Sequence, residues 1–149
     1  MIRLSAKNTA RCYFLNRKKL KSAVTFILKK IGIDDAELSI VFTTDSGIKR
    51  LNSLYRGQNR PTDVLAFSMR EGKPLKKDSL ILGDIAISVD RAREQAKRFK
   101  SSFKKEIYLY IIHGLLHLTG YDDRTRSAEK QMREKETAIL NYLWKRKEK

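Results

Sequence analysis

The sequence is poor in the features that stabilise secreted and membrane proteins. Cys12 is the only cysteine among 149 residues, which excludes an internal disulfide and is typical of a reducing compartment. No segment approaches the roughly 20 consecutive apolar residues of a membrane-spanning helix. The first residues also lack the layout of a signal peptide. We therefore expect a cytoplasmic protein with no membrane partner and no disulfide partner.

Acidic residues are scarce and unevenly placed. The chain has 33 Lys and Arg against 17 Asp and Glu, a net charge of +16, and nine basic residues precede the first acid, Asp34. A field this positive attracts polyanions and speeds their encounter with the protein. We interpret the excess as favouring a nucleic-acid partner over a merely solvated surface. A membrane surface is a weaker alternative, because no basic helix shows an exposed aromatic face.

Hydrophobic periodicity predicts a chain in which strands and helices are mixed. The predicted strands cover residues 1–5, 36–43, 64–69 and 79–88. The predicted helices cover about 17–31, 45–55, 89–99, 103–118 and 127–144. Asn16, Ser102 and either Asp45 or Ser46 are expected to cap three of the helices, and a basic loop over 70–78 joins the last two strands. The pattern indicates one α+β domain over residues 1–149, with a mixed sheet.

The two histidines of the chain, His113 and His117, are four residues apart on the most apolar predicted helix. One face of the helix carries both side chains, and a helix that is apolar nearly all round is buried and rigid. Gly120 can end the helix at positive φ, so that Asp122 or Asp123 returns to the same point. Two imidazoles and one carboxylate form a ligand set for catalytic zinc. The alternative is a pair of histidines packed in the core.

Two further residues bear on this hypothesis. Gly114 occupies the position where zinc proteases carry their general-base glutamate, so an ordinary zinc protease is excluded. Asp84 interrupts the apolar strand 79–88, and we favour a structural hydrogen-bonding role for it over a role in the site.

Three motifs, in this order and spacing, resemble those of the YbeY family of bacterial metal-dependent endoribonucleases. The motifs are Leu51-Asn-x-x-Tyr-Arg-Gly-x-x-x-Pro-Thr-Asp-Val-Leu-Ala-Phe-Ser68, Leu82-Gly-Asp-Ile-Ala-Ile87 and His113-Gly-x-Leu-His-Leu-x-Gly-Tyr-Asp122. In the family the last motif continues with a third histidine, and the three histidines hold a zinc ion. Here Asp123 occupies the third position. The resemblance therefore implies a metal site in which His113 and His117 are ligands, while the third ligand carries over only as the position of Asp123.

The resemblance also implies a fold and a function. The fold is a small mixed four-stranded sheet packed with about five helices, with the metal in a cleft beside a buried central helix. The function is single-strand-specific RNA cleavage in maturation of the 3′ end of small-subunit rRNA and in ribosome quality control. Arg56 matches a cleft arginine that the family needs for activity, and Arg60 is expected to bind RNA beside it. From the residues alone, Arg56 could equally be a turn residue that anchors backbone carbonyls.

Cleavage would place extra negative charge on the phosphate, which a divalent metal and the Arg56 guanidinium would stabilise. The general base stays open among water on the metal, the RNA 2′-hydroxyl and Asp122. The Asp123 carboxylate adds negative charge at the metal, which should favour harder ions such as Mn²⁺ relative to Zn²⁺. Two other functions stay open: a non-enzymatic RNA- or ribosome-binding protein, and a metal hydrolase of another substrate such as peptide.

Overall fold

The structure is a computed structural model that describes residues 1–10, 16–69 and 81–147. The strands are β1 Ile2–Asn8, β2 Ala36–Thr43, β3 Val64–Ser68 and β4 Ile81–Ser88. The helices are α1 Arg17–Ile31, α2 Asp45–Arg56, α3 Val89–Arg98, α4 Phe103–Leu118 and α5 Arg126–Lys147. All nine predicted elements are therefore present in the expected order. Among the described helices, none combines the length and the apolar character that crossing a membrane requires.

The element ends differ from the predictions in a few places. β1 runs to Asn8 rather than to residue 5, because it pairs with β2 along its whole length, from Ile2 opposite Ala36 to Asn8 opposite Phe42. Asn16 and Ser102 cap their helices as predicted. Cys12, the loop 70–78 and the first two residues of the predicted strand 79–88 lie outside the described residues.

The cap of α2 is a correction. Thr44, rather than Asp45 or Ser46, accepts the hydrogen bond from the backbone N–H of Gly47, at 3.1 Å. The Asp45 carboxylate instead accepts a hydrogen bond from the hydroxyl of Ser88 at 2.7 Å. This bond connects the start of α2 to the end of β4. The Asp45 carboxylate is therefore bonded to a residue distant in sequence and does not cap α2.

The four strands form one mixed sheet in the order β1-β2-β4-β3. β1, β2 and β4 run parallel, and β3 is an antiparallel edge strand beside β4. The pairing of β2 with β4 shifts register where Leu38 lies opposite Gly83. Gly83 has φ +141°, and a Cβ there would lie 2.1 Å from the carbonyl oxygen of Phe67, so only glycine fits this bulge. The predicted α+β fold with a small mixed four-stranded sheet is confirmed.

Helices cover the two faces of the sheet unequally. The main core lies on the face covered by α1, α4 and α5, while α2 contributes to a smaller cluster on the other face with Ile48, Leu65 and Ala86. Asp84 points to the second face, where it is exposed and accepts a hydrogen bond from the Ser39 hydroxyl. This position, across the sheet from α4, supports the structural role that we favoured for Asp84.

The predicted central helix, α4, is the most buried of the described helices. Along α4 the fully buried side chains include Ile107, Tyr108, Ile111, Ile112, Leu115 and Leu116. Gly114 brings this helix against β4: a Cβ at Gly114 would lie 2.9 Å from both Cδ1 and Cγ2 of Ile85. The position that bears the glutamate of zinc proteases therefore faces the sheet, and a side chain there could not reach the histidine face of α4.

We predict that Gly114→Ala destabilises the protein. At an open helical position the same change stabilises by about 1 kcal/mol, but here the added methyl overpacks the contact with Ile85, and we expect a net loss of about 1–3 kcal/mol. Urea unfolding of the variant and the parent measures the difference. An Ile85→Ala background removes the clashing atoms, so Gly114→Ala should cost less there. A stabilising Gly114→Ala in the parent background would contradict the close contact.

Candidate metal centre

The two histidines lie on the last turns of α4, where the helix ends and the chain reverses. The N–H of Gly120 donates to the His117 carbonyl, and the N–H of Tyr121 donates to the Leu116 carbonyl, at 3.2 and 3.0 Å. Gly120 has φ +107°, the positive value predicted for the end of the helix. The reversal brings Asp123 back beside the imidazoles.

His113, His117 and Asp123 each offer a ligand atom to one small volume. The two Nε2 atoms are 3.1 Å apart, and the ligand atoms of the three residues all lie within 4.8 Å of one another. Two ligands at zinc–nitrogen distances in a tetrahedral site are separated by about 3.3 Å. Two imidazoles and one carboxylate are also an established donor set, with a fourth position for substrate or water. The residues therefore fit one divalent ion.

Asp122 has a different position in the same turn. One of its carboxylate oxygens accepts the backbone N–H of Arg124 at 3.1 Å, an Asx-type contact that holds the turn. Asp122 lines the cleft described below, but it is Asp123 that groups with the two histidines. Of the two acids left open by the sequence, the geometry thus favours Asp123 as the third ligand.

Glu136 contacts the far side of the centre and was not predicted. Its Oε1 is hydrogen-bonded to Nδ1 of His113, so the Nε2 of that ring is left facing His117. A carboxylate in this position fixes the tautomer and the orientation of a metal-binding imidazole. The sequence did contain a signal. Glu136 lies four residues after Met132 and three before Ile139, on the stripe of α5 that is otherwise buried and apolar.

The surroundings shift the pKa values of the two imidazole rings in opposite directions. Burial lowers the pKa of His113, but the hydrogen bond and charge of Glu136, with the charges of Asp63 and Asp123, outweigh it, so the net shift is upward. The pKa of His117 is lowered by burial and by the neighbouring His113 ring. His117 is therefore the more readily deprotonated of the two rings, which is the state that a metal requires.

A cleft of about 930 Å³ opens beside the histidines. Arg56, the last residue of α2, lines it, and Gly57 ends the helix at φ +67°. The Arg56 guanidinium donates to the carbonyl of Ala66 at 2.6 Å and lies over the ring of Phe67, with Cζ 5.4 Å from the ring centroid. Both hypotheses for Arg56, a turn anchor and a residue of the cleft, therefore describe part of its position. It donates to a backbone carbonyl and it lines the cleft.

Arg60 lines the same cleft from the loop after α2. Its Nε and Nη2 donate to the Gln58 side-chain oxygen at 3.1 and 2.9 Å, and the buried Asn52 amide donates to the Arg60 carbonyl at 3.0 Å. Arg91 and Arg124, which were not predicted, are two further cations of the cleft wall. The cleft therefore combines a metal-binding group with several guanidiniums, an arrangement that suits a phosphodiester.

Comparisons with known proteins agree with the motifs. The family model described as Endoribonuclease YbeY matches residues 5–144. A protein named Endoribonuclease YbeY from Pelotomaculum thermopropionicum is 43% identical over 127 residues, which cover 83% of this chain and 84% of the relative. The protein of that name from Geobacter metallireducens is 36% identical over 144 residues, covering 95% and 96%.

The fold is also that of a solved structure. A Thermotoga maritima protein determined in solution has a TM-score of 0.68 and 33% identity to this chain, and the match covers 98% of this chain and 91% of the other. The family and the enzyme class predicted from the motifs are both confirmed: this chain belongs to the YbeY family of endoribonucleases.

Proposed function

We propose that the chain is a metal-dependent endoribonuclease for single-stranded RNA. We further propose that residues 1–149 act as one domain in the cytoplasm, in maturation of the 3′ end of small-subunit rRNA and in ribosome quality control. The observation that carries metal dependence is the convergence of His113, His117 and Asp123 in a cleft lined by arginines. The rRNA substrate and the preference for single strands are supported by the family motifs.

Three residues would hold the ion in this proposal. His113 and His117 supply Nε2 atoms and Asp123 supplies a carboxylate oxygen, while Glu136 keeps the His113 ring in place through Nδ1. A divalent ion held there would stabilise negative charge on a phosphoryl oxygen. The carboxylate of Asp123, where the family has an imidazole, makes the site one unit more negative and extends the set of fitting ions from Zn²⁺ towards Mn²⁺.

Arg56 would orient the scissile phosphate. Its guanidinium has five N–H donors in a fixed plane, and the bond to the Ala66 carbonyl together with the Phe67 ring holds that plane at the cleft. A phosphate bound by the remaining donors would gain charge-assisted bonds that strengthen as negative charge develops. Arg60 would contact a neighbouring phosphate of the same strand, which would keep the RNA in register with the metal site.

Removal of the metal ligands tests the function directly. We expect His113→Ala and His117→Ala to lose bound Zn²⁺ or Mn²⁺ and to reduce cleavage of a single-stranded RNA to background. Chelation of the parent protein should do the same, and added metal should restore cleavage. Metal content by mass spectrometry and cleavage on denaturing gels are the measurements. Undiminished cleavage by the His113→Ala and His117→Ala variants, or by the parent protein after chelation, would refute the proposal.

A pair of matched variants separates the two acids in this experiment. Asp123→Asn should weaken metal binding, because it removes a charged ligand, whereas Asp122→Asn keeps an oxygen for the Arg124 N–H and should retain the metal. Equal metal affinities in the two variants would argue against Asp123 as the ligand.

The same cleavage experiment distinguishes an enzyme from a binding protein. Salt-sensitive RNA binding without cleavage products, in protein loaded with metal, would identify a binding protein.

We predict that Arg56→Ala lowers kcat/KM on single-stranded RNA by about 10²–10³-fold, the effect of removing one donor to developing charge. Arg56→Lys should recover part of the loss, since it keeps the charge without the planar fork. Metal content should not change in either variant. Arg50→Ala, on the exposed part of the same helix, is the control and should cleave like the parent. Indistinguishable rates for the Ala variants at 50 and 56 would leave Arg56 as a turn anchor only.

We predict that Glu136→Gln weakens Zn²⁺ affinity by about 10–100-fold, because the His113 ring loses its charged partner. Titration with a competing chelator measures the affinity. Glu134→Gln is the matched control: Glu134 lies on the same helix, is exposed and lines neither the cleft nor the cavity beside His113, so its loss should leave the affinity unchanged. If the two variants bind Zn²⁺ equally well, Glu136 does not position the ligand.

A further inference from the structure

A second basic surface lies away from the cleft, between α1 and the C-terminal part of α5. It is a groove of about 520 Å³ lined by Lys18, Lys21, Lys29 and Arg146. The three lysines lie on the exposed side of α1, spaced at three and eight residues, and so follow the helical repeat as one stripe. Among the described residues that line the groove, four are cationic and none is acidic.

The charge of α1, which forms one side of this groove, differs from that of the other described helices. α1 carries six Lys or Arg and no Asp or Glu between Arg17 and Ile31, whereas each of the other four described helices contains at least one acid. Exposed cations elsewhere can pair with nearby carboxylates, as Arg133 does with Glu129. A stripe without acids keeps its positive potential, which is the requirement for binding a phosphate backbone.

Aromatic rings hold two cations at the edge of the groove. The Arg146 guanidinium lies over the ring of Phe26 at 5.0 Å from the centroid and donates to the Ser22 hydroxyl at 2.9 Å. The Lys30 ammonium lies 4.6 Å from the ring centroid of Tyr142, which is 55% exposed. These contacts order the cations before any ligand binds. An exposed tyrosine next to them also offers a surface on which an unpaired base can stack.

We infer that this groove is a second binding surface for single-stranded RNA, which holds the strand outside the cleft where it is cut. Arg146 follows Glu136 by ten residues on α5, a distance of about 15 Å along the helix axis. One RNA strand of several nucleotides could therefore contact both places. The inference rests on the proposed function for the identity of the ligand, but the binding itself requires neither the metal nor cleavage.

The experiment compares two triple variants of equal charge. The first changes Lys18, Lys21 and Lys29 to Gln in the groove. The second changes three other exposed lysines, Lys7, Lys49 and Lys97, none of which lines the groove or the cleft. Both sets are introduced into the His113→Ala protein, and binding of a fluorescent single-stranded RNA is titrated over a range of salt concentrations. Thermal unfolding of each variant checks that the surface changes leave the fold intact.

The groove variant should bind long single-stranded RNA roughly 10- to 100-fold more weakly at low salt, and its slope of log affinity against log salt should fall by about 2, since each phosphate contact on a single strand contributes about 0.7. The control variant should change both quantities much less. In the cleavage-competent background, the groove variant should raise KM for a long RNA and leave kcat on a short oligonucleotide unchanged.

Equal losses in the two triple variants would overturn the inference, because they would mean that the overall charge binds RNA without a defined groove. This outcome is distinct from failure of the proposed function. A protein that binds RNA through the groove but cleaves none would refute the nuclease proposal alone, and a nuclease with unaltered binding in the groove variant would refute the groove alone.

Discussion

The close contact between α4 and β4 fixes the geometry of the candidate metal centre. Gly114 lets the helix approach Ile85 so closely that position 114 has no room for a side chain. The rest of α4 is packed on almost every side. A helix held in this way cannot roll, so the one partly open face presents His113 and His117 in fixed directions. The positions of the imidazoles therefore follow from packing, and the ion they could hold need not create the site by itself.

Features encoded by neighbours in the sequence could be predicted, whereas contacts between distant residues could not. The caps Asn16 and Ser102, the positive φ of Gly120 and the shared face of the histidines all depend on a few adjacent residues. The hydrogen bond from the His113 ring to the Glu136 carboxylate joins two residues that are 23 positions apart and lie on different helices. No local pattern reports such a contact, although a carboxylate on the apolar stripe of α5 is a sign that a buried partner exists.

The same reason explains the remaining differences. Asp45 looked like a helix cap, but Ser88 on a distant strand bonds its carboxylate, and Thr44 took the cap instead. The arginines of the cleft wall come from several elements. Arg56 is a residue of the family motif, whereas Arg60 occupies one of the unspecified positions inside that motif. Arg91 and Arg124 also line the cleft, but only the folding of the chain brings them there, so the sequence did not predict them. Electrostatics thus divides the molecule: the cleft mixes guanidiniums with carboxylates, whereas the groove on α1 and α5 is purely cationic.

Among the described strands β1 lies at the border of the sheet, which has a consequence for the behaviour of the protein at high concentration. A border strand exposes unpaired backbone donors and acceptors to which another chain can add by strand pairing. On β1 the exposed side chains of Arg3 and Lys7 flank that border. Two molecules that meet along β1 would bring like charges together, so the positive excess also opposes edge-to-edge association and the growth of aggregates.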